Sequence, residues 1–69
     1  MKKPCAISVK QHSLSAIVEL SKIARDARAQ CDRQESETLV RAAGKLIGLI
    51  ETDILALIYR EYPDLDDLA

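Results

Sequence analysis

At 69 residues and 7.7 kDa the chain has room for one small domain. Apolar residues make up 48%, with no Phe or Trp, and charged residues 30% with a net charge of -1; this is too apolar for a disordered tail and too evenly charged for a membrane span. Two Gly and two Pro are too few for many short strands and turns, so the expected class is all-α, a single small helical domain over residues 1–69.

Lys2 and Lys3 before Cys5-Ala6-Ile7-Ser8-Val9 begin like a signal peptide, but Lys10-Gln11-His12 end the apolar stretch far too early. A cytoplasmic chain is therefore expected, with Cys5 and Cys31 reduced and serving as plain small residues. A single His and two Cys cannot assemble a four-ligand metal site within one chain, and no cofactor is implied.

Ser8 with Gln11 has the form of a capping box, with Ser13 as a rival start, and a first helix is predicted from about residue 10 to 31. At about 100° per residue, Val9, Ala16, Ile17, Leu20, Ile23, Ala24, Ala27 and Cys31 share an arc about 120° wide, the width of a helix lying on one core. Leu14 and Val18 fall on the opposite side beside Lys22 and Arg25. They are either scattered exposed residues or a second contact surface, apolar with a basic edge.

Asp32-Arg33-Gln34-Glu35-Ser36 interrupts the period. Asp32 with Glu35 is a second capping-box pattern, Ser36 a competing cap, and a second helix is predicted over about 35–61. Pro63 stops it. Leu39, Val40, Ala42, Ala43, Leu46, Ile47, Leu49, Ile50, Ile54, Leu57 and Ile58 spread over an arc about 180° wide, more than one neighbouring helix covers. The first helix supplies one neighbour and a second copy of the chain most simply supplies the other. The expected architecture is a two-helix antiparallel hairpin that dimerises into a four-helix bundle. Leu39, Ala43, Leu46, Ile50, Ile54 and Leu57 are the expected self-association residues.

Three features of the second half resist this pattern. Gly44 and Gly48, four apart, are either tolerated helix glycines or a site of close approach by another backbone. Asp53 projects into the apolar arc. A helix break at Glu51-Thr52-Asp53, a pairing with a basic residue, and a partly wet position at the bundle rim would each account for it. Residues 63–69 form an acidic tail, expected to be mobile and dispensable for folding.

Chemistry-bearing motifs are missing. No glycine-rich loop and no Ser-His-Asp or Cys-His spacing is present, and His12 reads as a surface residue. The expected function is non-enzymatic, without a small-molecule substrate: a homodimer that binds another protein, with Leu14, Val18, Lys22, Arg25, Tyr59 and Tyr62 as candidate contacts. Residues 1–45 carry nine basic and five acidic groups, residues 46–69 one basic and six acidic. That asymmetry supports an alternative, a nucleic-acid-binding dimer using Lys22, Arg25, Arg28 and Arg41. The pI near 5.7 and the interleaved Glu19 and Asp26 argue against it. In layout alone, a short helical hairpin with an acidic end, the chain is similar to small plasmid-encoded RNA-binding hairpin dimers. No motif is shared, so the likeness implies architecture and no function.

Overall fold

The computed structural model describes residues 1–66, all of its regular structure helical. Helix α1 spans Lys3–Gln30 and helix α2 spans Arg33–Leu49. A π-helical turn over Ile50–Leu55 leads into α3, Ala56–Glu61, and a 3-10 turn over Pro63–Leu65 follows. The α1–α2 hairpin is the coarse architecture expected from the two apolar periods.

Helix α1 starts at Lys3, well before the Ser8 and Ser13 caps read from the sequence. Pro4 explains the difference. It lies in the first turn, where no N–H is needed and its fixed φ already suits a helix. Ala6 N–H then closes the first bond on Lys2 O at 3.1 Å. At the other end Cys31 N–H bonds Ala27 O at 3.0 Å, and only Cys31 and Asp32 separate the helices.

The second capping box forms as its residues predict. Glu35 N–H donates to Asp32 Oδ1 at 2.8 Å, and Asp32 N–H donates to Glu35 Oε1 at 3.3 Å. Two of the donors that a helix start leaves unpaired are satisfied reciprocally, with a carboxylate at the positive end of the helix.

The π turn sets the phase of everything after it. Ala56 N–H bonds Glu51 O, five residues back, so the turn holds one residue more than an α-helical turn. The residues turned toward α1 are Val40, Ala43, Ile47, Ile50, Leu55, Ile58 and Tyr62, all buried or half-buried. Their spacings are three, four, three, five, three and four. The five falls inside the π turn, and the extra residue there keeps Leu55 and Ile58 on the face that Val40 and Ala43 began. Asp53 is exposed, and the helix neither breaks nor recaps there.

The core lies at the end of the hairpin remote from its loop. Ala6, Leu55 and Ile58 are buried, and Val9, Ile17, Ile50, Tyr59, Tyr62 and Leu65 pack around them. Toward the loop the buried residues are Ala27 and Ala43, small enough to bring the helices close. Pro63–Asp66 does not match the expectation of a mobile tail. Leu65 packs on the core, the Lys10 ammonium donates to its carbonyl, Lys3 pairs with Asp64, and the Tyr62 hydroxyl donates to Met1 O at 2.6 Å. The Lys3 hydrogen bond holds the Asp64 carboxyl below its ordinary value. The segment straps the C-terminal end onto the start of α1; the rest of the acidic tail, 67–69, lies outside the described residues.

Candidate interaction surfaces

The hairpin leaves much of its apolar surface uncovered. On α2 and beyond, Leu39, Leu46, Leu49, Ile54 and Leu57 are 38–49% exposed, and Ala42 is exposed with them. Their order, Leu39, Ala42, Leu46, Leu49, Ile54, Leu57, has spacings of three, four, three, five and three. The five again falls on the π turn, so one continuous stripe runs the length of the second arm, about 100° round from the face that meets α1.

Four of the six residues expected to mediate self-association, Leu39, Leu46, Ile54 and Leu57, lie on this stripe. Ala43 and Ile50 do not. Ala43 is 3% exposed in the seam with α1, and Ile50 packs against the core, because both fall one residue round toward α1. Leu49 and Ala42 take their places. Both belong to the 180° arc, and only the position of α1 divides that arc into a covered half and a bare half.

A second exposed face lies on the other side of the hairpin. Leu14 and Val18, 42% and 53% exposed, share the α1 side that carries Arg25. A shallow groove lined by Lys10, Leu14, Ile17, Glu51, Ala56 and Tyr59 shows that this side of α1 and the Glu51 side of the second arm form one face. Gly44 and Gly48, seven and three residues before Glu51, belong to it, and a Cβ built on either meets nothing within 4 Å. The glycines therefore serve no contact inside the hairpin.

The remaining candidates divide between surface and fold. Tyr59 and Tyr62 are half-buried against the core; Lys10 Nζ sits 5.8 Å from the Tyr59 ring centroid, and the Tyr62 hydroxyl is held by Met1. Among the basic residues, Lys22 pairs with Glu19 at 3.1 Å and Arg25 with Asp26 at 3.4 Å, while Arg28 and Arg41 are exposed. Two of the four cations named for nucleic-acid binding thus have an acidic neighbour beside them. Cys5 and Cys31 are free thiols at opposite ends of α1, about 39 Å apart at 1.5 Å per residue and beyond the reach of a disulfide. Among the described residues no three acidic, His or Cys side chains are grouped to hold a metal ion, and no helix is long and apolar enough to cross a membrane.

Comparison with protein-family models, with curated proteins and with solved structures finds no match to this chain.

Proposed function

We propose that this chain is a non-enzymatic interaction protein, a homodimeric helical bundle that binds another protein in the cytoplasm, where Cys5 and Cys31 stay reduced. The observation that carries this reading is the uninterrupted stripe Leu39, Ala42, Leu46, Leu49, Ile54, Leu57. Large apolar residues left bare in one continuous line belong to an interface. Once the stripe is occupied by a second copy, the Leu14–Val18 face on the opposite side stays available to another protein.

Analytical sedimentation across the micromolar range tests the dimer. The expected result is a species of twice 7.7 kDa, converted to monomer by Leu46→Asp. Only monomer at every concentration, from a chain that circular dichroism shows to be helical, would remove the reading. Affinity capture with wild type and with Val18→Asp, followed by mass spectrometry, addresses the second face. A partner retained equally by both places recognition elsewhere.

A further inference from the structure

We propose that the second copy docks antiparallel, its second arm lying along the stripe of this one, with Lys45 facing the partner's Asp53 and Asp53 facing the partner's Lys45. The inference rests on the homodimer reading and adds its orientation. A twofold axis crossing the stripe between Leu46 and Leu49 sets Leu39 against the partner's Leu57, Ala42 against the partner's Ile54, and Leu46 against the partner's Leu49. Each apolar residue then meets another, and the small Ala42 faces the branched Ile54.

The flanks of the stripe decide the direction. On one flank Ala43, Ile50 and Ile58 are closed over by α1 and the core. On the other stand Thr38, Lys45, Asp53 and Arg60, all exposed, at spacings of seven, eight and seven. The longer step spans the π turn, so the four remain in one line. Among the described residues Lys45, Asp53 and Arg60 make no ion pair inside the hairpin. In an antiparallel pair like flanks meet. Lys45 comes beside the partner's Asp53 twice, Arg60 beside the partner's Thr38 twice, and no cation opposes a cation. Both α1 helices then stand together on the opposite side, which closes a four-helix bundle. A parallel pair would drive each charged flank onto the side where the other copy's α1 already stands.

The charge pairs give the test. Lys45→Glu and Asp53→Lys should each weaken self-association about tenfold at low salt, by turning two rim attractions into repulsions, and the double variant should return to within about twofold of wild type. Both positions are exposed, and circular dichroism of each variant checks that the hairpin is intact. Crosslinking gives an independent readout in a Cys5→Ser, Cys31→Ser background. Oxidation of a mixture of Leu39→Cys and Leu57→Cys chains should yield the mixed disulfide, and Leu39→Cys alone should yield none. A dimer indifferent to the single swaps, a double variant no better than the singles, or a Leu39→Cys chain that crosslinks to itself would overturn the antiparallel assignment and leave the homodimer standing. A wild type that never dimerises would remove both.

Discussion

Gly44 and Gly48 occupy a helix interior at a conformational cost, and nothing in the hairpin uses the space they leave. Alanine at Gly44 should therefore stabilise the fold by about 1 kcal/mol, raising the thermal midpoint by about 4–8 °C. A lower midpoint would mean that the position is strained or covered. If the glycines exist for close approach of a partner on the Leu14–Val18 face, the same variant will be more stable and bind that partner less. Asp64 supplies a second residue-level expectation. Its carboxyl is held below the ordinary 3.8 by the Lys3 hydrogen bond. A depressed folded value means that the contact contributes fully above the ordinary value and is lost as pH falls through the lower folded one. Wild type should therefore be more stable than Asp64→Asn at neutral pH, and the difference should close as acid titrates the folded carboxyl. Parallel acid titrations monitored at Tyr62 by NMR would show this; a difference that persists at the acid limit would assign the effect to something other than the charge.

The element of most consequence is the π turn at Ile50–Leu55. It carries one residue that an α-helix would not need, with the Thr52 hydroxyl donating to Gly48 O at 3.0 Å at its entry. Removing that residue should convert the turn to ordinary α-helix without disturbing either apolar series, because the spacing of five becomes four in both. Deleting Thr52 should thus leave the helical dichroism signal and the midpoint unchanged or raised, with Asp53 still immediately before Ile54. A fall of more than about 5 °C would show that the π geometry itself is needed. Leu55→Asp, by contrast, places a charge at a core position that is 5% exposed and should unfold the protein.

As a whole the hairpin is a rod, 44 × 19 × 15 Å, with a radius of gyration of 14.4 Å against about 11 Å for a compact chain of this length. Its core is thin and concentrated where three segments meet: the start of α1, the π turn with α3, and the Pro63–Asp66 strap. Ending the chain at Tyr62 removes Leu65 from that core together with the Lys3 and Lys10 contacts. The thermal midpoint should drop by about 4–8 °C, near 1 kcal/mol for a chain of this size. An unchanged midpoint would reduce the strap to a surface decoration. A rod with so thin a core is expected to gain stability by self-association, because a second copy would cover apolar side chains that the hairpin leaves bare.

Helical class, the hairpin break, the Asp32–Glu35 cap and the excess width of the second apolar arc were all written in local sequence, because each depends on residues within one or two turns of each other. Pro4 was an equally local signal for the start of α1, and Ser8–Gln11 competed with it. The five-residue spacing from Leu49 to Ile54 is visible in the chain too, but a helical wheel of constant pitch turns it into an apparent buried Asp53. Only the backbone, by closing a π turn, shifts Asp53 from the line of Leu46 and Leu49 to the flank that carries Lys45. The division of the arc into a covered and a bare half needed α1 in place, which is why Ala43 and Ile50, covered by α1 and the core, were grouped with the bare Leu39 and Leu46. The strap needed it too: Leu65 sits among aspartates and looks like a soluble tail until Lys3 and Lys10, more than fifty residues away, are folded beside it.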